Sequence, residues 1–110
     1  MSAITTHVLD ISRGVPAAGV PVTLEVRIPD GAWKLLGKGA TGSDGRAANL
    51  LPEGVALAIG VYRLTFDLRG HQPDGLYPEV TVTFEVRNAA RHYHIPLLLS
   101  PNGYTTYRGT

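Results

Sequence analysis

The chain contains no cysteine. A disulfide framework, a thiolate zinc site and a cysteine nucleophile are therefore excluded together, although this assigns no compartment. Nor is there a run of charge of either sign: ten Lys and Arg face nine Asp and Glu, for a formal net charge of +1. A surface for nucleic acid or for an anionic membrane needs clustered basic residues, so neither is expected as a partner. No apolar run approaches the roughly 18 residues of a membrane span, and the opening Met1-Ser2-Ala3-Ile4-Thr5-Thr6-His7 lacks the basic segment and apolar stretch of a signal peptide. The expected location is cytoplasmic. A Gly-rich phosphate loop, a Ser-His-Asp signature and a zincin helix are missing too, as are internal repeats and linkers.

What is present is punctuation. Thirteen Gly and eight Pro in 110 residues break the chain too often for long helices, and residues 1–110 read as one domain with one core. The segments between the breakers alternate. In residues 20–28, Val20, Val22, Leu24, Val26 and Ile28 alternate with Pro21, Thr23, Glu25 and Arg27, a period of two that suits a strand with one buried face. Residues 61–68 and 80–86 repeat the pattern, and shorter strands are expected at 5–11, 33–39, 46–50, 92–100 and 104–108. Turn signals at Arg13-Gly14-Val15-Pro16, Pro29-Asp30-Gly31, Ser43-Asp44-Gly45 and Ser100-Pro101-Asn102-Gly103 separate them. About eight short strands spaced by turns predict an all-β sandwich or barrel. Residues 51–60 and 69–78 have no clean period and read as loops, the second with room for one short helix.

The end strands carry the chemistry. Across 92–100 the alternation puts Tyr93, Ile95, Leu97 and Leu99 on a core face and His92, His94, Pro96, Leu98 and Ser100 on the other. Across 5–11, His7, Leu9 and Ile11 share a face opposite Thr6, Val8 and Asp10. Histidine and leucine mixed on an outward face call for a second cover, and another copy of the chain is the simplest one. An oligomer is expected, with a groove lined by His7, Leu9, His94 and Leu98. On pattern alone each polar residue also fits a plainer role: a satisfied interface histidine, an exposed charge after a turn for Arg46, a solubility residue for Arg108. The His92-x-His94 pair with His7 permits a three-histidine zinc site but does not specify one, since no Asp or Glu flanks the pair as an outer partner. The expectation is no metal and no cofactor.

Several stretches, in order along nearly the whole chain, carry a family likeness. They are Thr6-His7-Val8-Leu9-Asp10, Gly14-x-Pro16-Ala17-x-Gly19-Val20-x-Val22, Thr41-x-x-Asp44-Gly45-Arg46, Gly60-x-Tyr62-Arg63-Leu64-x-Phe66 and Tyr77-Pro78-Glu79-Val80. The most specific are His92-Tyr93-His94-Ile95-Pro96-Leu97-Leu98-Leu99-Ser100 and the terminal Tyr107-Arg108-Gly109-Thr110. Together they resemble the enzyme branch of the transthyretin-like family, the 5-hydroxyisourate hydrolases. The resemblance implies a prealbumin-type sandwich of two four-stranded sheets and a homotetramer, built as a dimer of dimers with sites in a central channel. It also implies hydrolysis of 5-hydroxyisourate to 2-oxo-4-hydroxy-4-carboxy-5-ureidoimidazoline in urate degradation. The family's catalytic residues fall on His7, Arg46 and His94, and its substrate-binding ending falls on Tyr107, Arg108, Gly109 and Thr110. A non-catalytic small-ligand carrier is the alternative within the same fold, but the carrier transthyretins lack these histidines, this arginine and this ending. The chain departs from the family pattern in Thr110, where serine is usual, in a shortened 69–78 segment, and in Asn102, where an aromatic residue is commoner. His92 is expected to play a supporting part.

Overall fold

The structure, a computed structural model, describes residues 3–110. Nine strands form among these residues: β1 (Ile4–Asp10), β2 (Val15–Pro16), β3 (Pro21–Arg27), β4 (Trp33–Ala40), β5 (Arg46–Ala47), β6 (Gly60–Asp67), β7 (Glu79–Val86), β8 (Tyr93–Ser100) and β9 (Gly103–Thr106). One sheet runs β4-β3-β6-β7, antiparallel throughout. The other runs β2-β1-β8-β9, and β5 also pairs β1. The two-residue β2 and β5 share one edge of β1: β2 lies against Leu9 and Asp10, β5 against Thr6 and His7. Each sheet is thus four strands wide, with one position divided.

The core lies where the sequence alternation points inward. Val22 and Leu24 of β3, Tyr62, Leu64 and Phe66 of β6, and Tyr93, Ile95, Leu97 and Leu99 of β8 are all buried. Each such side chain contributes roughly 1.5–3 kcal/mol by leaving water. In β1, Ile4, Thr6, Val8 and Asp10 are buried while Thr5, His7 and Leu9 are half-buried on the opposite face. The outward faces of β1 and β8 are therefore those expected.

Three local features differ from the sequence reading. The strand expected over 46–50 stops at Ala47, because Asn49 adopts a left-handed φ of 60° and the chain turns Leu50 and Leu51 into the core. The turn around Gly14 supplies the short strand β2. No helix forms among the described residues, so the one for which 69–78 leaves room is not formed. That segment begins a single turn, with Gln72 N–H donating to Leu68 O at 2.9 Å. The next residue, Pro73, has no N–H with which to extend it.

One pairing matters most for the site. In an otherwise antiparallel molecule, β1 and β8 run parallel, in the register Thr5↔His94, His7↔Pro96 and Leu9↔Leu98. Strands some ninety residues apart thereby share one outward face. Among the described residues no helix is long and apolar enough to cross a membrane.

Candidate active site

Three rows cross this outward face. His7 lies between Arg46 of β5 and Pro96 of β8. Thr5 lies beside His94, which bridges on its other side to Gly109. Leu9 and Leu98 form the third row, with Pro16 against Leu9. The register alone thus brings Arg46, His7, His94 and Gly109 onto one patch.

His7 is held by a tight turn. Gly42 N–H donates to Arg46 O at 2.9 Å, Gly45 N–H to Gly42 O at 2.9 Å, and Val8 N–H to Gly45 O at 2.7 Å, which straps the turn to β1. Gly45 has φ of 80°, and a Cβ there would run into the Val8 carbonyl and press on the His7 ring. A side chain is therefore barred twice, by backbone conformation and by space. The turn presents the Asp44 carbonyl 2.8 Å from His7 Nε2. A carbonyl only accepts, so Nε2 carries the proton and Nδ1 of the neutral ring keeps the lone pair. Arg46 Nε is 4.0 Å from Asp44 Oδ2 and both side chains are more than half exposed. Such a pair is weak, and the guanidinium remains available to a ligand.

His94 is tied down on two sides. Its Nδ1 lies 2.8 Å from Thr5 Oγ1, and its backbone carbonyl accepts from Gly109 N–H at 2.8 Å. The Gly109 backbone lies so close over the imidazole that a Cβ would overlap ring atoms and touch Pro96. Burial lowers the His94 pKa, and the nearby charges of Arg46, His92 and His7 lower it further; an interaction with the Thr5 backbone, distinct from the hydroxyl contact, opposes them without winning. His94 is accordingly held neutral to lower pH than an ordinary histidine. The His92 and His94 rings stack at 6.4 Å and 25°.

The terminal residues divide. Gly109 belongs to the His94 patch, while Arg108, Gly109 and Thr110 line a concavity of about 440 Å³ together with Arg91 and His92. The Arg108 guanidinium also stands 4.6 Å over the Tyr93 ring. Tyr107, half exposed, lines a second cleft with Val82, Phe84, Ile95 and Arg108; Arg108 borders both hollows, and no histidine lines the second. Another cavity, about 650 Å³, lies between Ala3 and residues 49–57, with Glu53 in its lining; it holds none of the groups described above. Among the described residues no group of three or more His, Asp or Glu is placed to hold a metal ion, so the three-histidine set that spacing permits is not assembled. Sequence reasoning passed over Thr5 and the Asp44 carbonyl. Neither has a local signature, since both act only through pairing between distant segments.

Such a patch, with two imidazoles, a guanidinium and backbone polar groups on a sheet face, can move a proton and stabilise growing negative charge. A family model described as HIUase/Transthyretin family matches residues 4–109. A 5-hydroxyisourate hydrolase of Caulobacter vibrioides is 44% identical, covering 100% of both chains. The Uric acid degradation bifunctional protein TTL of Arabidopsis thaliana is 43% identical over 97% of this chain, which spans only 37% of that protein's length. Among solved structures, Klebsiella pneumoniae 5-hydroxyisourate hydrolase superposes with a TM-score of 0.84 at 32% identity, covering 100% of each chain. Sea bream transthyretin in complex with thyroxine superposes with a TM-score of 0.88 at 30% identity, covering 98% of this chain and 95% of that one.

Proposed function

The chain belongs to the HIUase/Transthyretin family, and from that premise we propose that it hydrolyses 5-hydroxyisourate to 2-oxo-4-hydroxy-4-carboxy-5-ureidoimidazoline in urate degradation. The reading follows its hydrolase relatives. The observation that carries it is the row-by-row register that sets Arg46, His7 and His94 side by side with Gly109 over the second imidazole. Attack of water on a ring carbonyl requires a base for the proton, and imidazole is the side chain whose pKa lies nearest working pH. Charge then grows on the carbonyl oxygen, where a fixed guanidinium and an N–H donor stabilise it. Arg46 supplies the first, and an electron-rich ring suits the surrounding positive field. Arg108, Gly109, Thr110 and Tyr107 complete substrate binding, Tyr107 from the adjoining cleft once subunits associate. No cofactor enters the reaction.

The working unit is a homotetramer, a dimer of dimers. Its support is the outward patch itself: Leu9 and Leu98 lie half-buried beside the histidines, and Ile11 is 59% exposed at the end of the same face. Apolar side chains among catalytic groups are covered at low cost by a second copy. The likeness to a thyroxine-bound transthyretin favours one second reading, a channel that holds a planar ligand without turnover. Two imidazoles and a guanidinium on one patch are more than holding requires.

Single His7→Ala, His94→Ala and Arg46→Ala variants test the site. Each should retain its assembly and lose about 100-fold or more of the rate at which 5-hydroxyisourate disappears. Folded variants that consume it as fast as the parent would remove these residues from the mechanism.

A further inference from the structure

Behind His94 the hydrogen bonds run on past the residues just assigned. Thr5 Oγ1 lies 2.8 Å from His94 Nδ1 and 2.9 Å from His92 Nε2. A hydroxyl has one proton to give and two lone pairs to receive. The other nitrogen of His92, Nδ1, is buried with no hydrogen-bond partner among the described residues. A proton there would leave a buried donor unsatisfied, at a cost of about 1–3 kcal/mol, whereas a lone pair there is tolerated more readily. The His92 proton therefore sits on Nε2 and is donated to Thr5 Oγ1. Among the described residues the threonine hydroxyl then has one acceptor in reach, His94 Nδ1. If His94 also donated to Oγ1, the hydroxyl proton would have no acceptor among the described residues.

We propose that Thr5 and His92 are positioning residues that hold neutral His94 as its Nε2–H tautomer, so that His94 acts as a hydrogen-bond donor to the reacting carbonyl and His7 as the base. This rests on the hydrolase reading above and divides the labour between its two histidines. A neutral imidazole with Nδ1 already accepting from Thr5 cannot take a proton from water at Nε2, because that nitrogen carries one. It can polarise a carbonyl and stabilise the oxyanion that forms. His7 is arranged the other way, with Nε2–H bonded to the Asp44 carbonyl and the lone pair on Nδ1. The step balances with one water. His7 Nδ1 takes a proton as the water oxygen bonds to the ring carbonyl carbon, then returns it to the ring nitrogen as the C–N bond breaks. His94 gains and loses nothing.

The test reads the tautomer directly. In protein labelled with ¹⁵N-histidine at neutral pH, two-bond and three-bond ¹⁵N–¹H correlations should show His94 protonated at Nε2 and bare at Nδ1, with His92 protonated at Nε2. A proton on His94 Nδ1 overturns the proposal. Thr5→Val, which keeps the shape and removes the hydroxyl, should turn His94 into a mixture of tautomers and lower kcat about 10- to 100-fold with little change in KM. Thr5→Ser should restore both. Unchanged His94 shifts in Thr5→Val overturn it as well. His94→Gln, which retains an N–H donor, should keep more activity than His94→Ala; His7→Gln, which offers no base, should lose as much as His7→Ala. The expected tautomers in a protein that leaves 5-hydroxyisourate untouched would sink the hydrolase reading and leave the hydrogen-bond relay standing.

Discussion

At the scale of single residues, a methyl group is enough to probe how His94 is held. Gly109 lies over the imidazole at closer range than any Cβ allows, so Gly109→Ala must move either the ring or the terminal segment. A displacement of about 1 Å in a reacting group can cost about 100-fold in rate. We expect a loss of that order in kcat, with the urea unfolding midpoint close to that of the parent. Full activity in Gly109→Ala would show that the contact positions nothing. The depressed pKa of His94 gives a second measurement. Burial and the charges of Arg46, His92 and His7 favour its neutral form, so its titration followed by NMR should have a midpoint below the ordinary 6.5. Arg46→Ala should raise that midpoint. Because the folded value lies below the unfolded one, this group costs the native state stability as pH falls below 6.5. The period of two was enough to set His7 with Leu9 and His94 with Leu98 on outward faces. The bridge from Thr5 to both His92 and His94 was not legible, because parallel pairing across such a sequence separation leaves no local pattern.

At the scale of elements, the turn before β5 and the clasp at the far end of β1 each carry an expectation. Gly45→Ala forces an L side chain to a φ of 80° against the Val8 carbonyl. Holding a non-glycine residue in such a conformation costs about 1–3 kcal/mol. Urea unfolding should show a loss in that range, and the shifted Asp44 carbonyl should lower activity through His7; an unchanged midpoint would contradict this account of the turn. The clasp joins β1 to the 69–78 segment, where His71 Nε2 lies 2.7 Å from Asp10 Oδ2. Burial alone would raise the Asp10 pKa, but hydrogen bonds from Ser12 and His71, the Arg13 N–H and the His71 charge outweigh it and hold it at about 2, against 3.8. The folded value is depressed, so the stabilisation is present above 3.8 and is lost as pH falls through about 2, about 2 kcal/mol in all. Unfolding midpoints measured from pH 7 down to 2 should fall in that window for the parent and much less for Asp10→Asn. Strand centres were legible because burial on one face imposes alternation. The end of β5 was not, since the turn at Asn49 is set by where Leu50 and Leu51 find the core, and neither was β2, a two-residue pairing without a period.

At the scale of the whole molecule, the two-layer fold follows from the alternation. The sequence likeness and the superposition on Klebsiella pneumoniae 5-hydroxyisourate hydrolase agree on it. The patch of histidine and leucine is a part of the fold that a single subunit leaves partly uncovered. Sedimentation equilibrium should therefore find four chains per particle, and Leu98→Glu, which puts a charge on the patch, should dissociate them. A parent protein that is monomeric at assay concentration would contradict the tetramer. The central claim is turnover at this patch. It is tested most directly by generating 5-hydroxyisourate in place from urate and urate oxidase, adding the protein far below the substrate concentration, and following the ultraviolet signal of the intermediate. The account predicts a lifetime shortened in proportion to added protein, with many equivalents consumed per chain. A signal that decays at the spontaneous rate, or protein that removes no more than one equivalent per site, would contradict it.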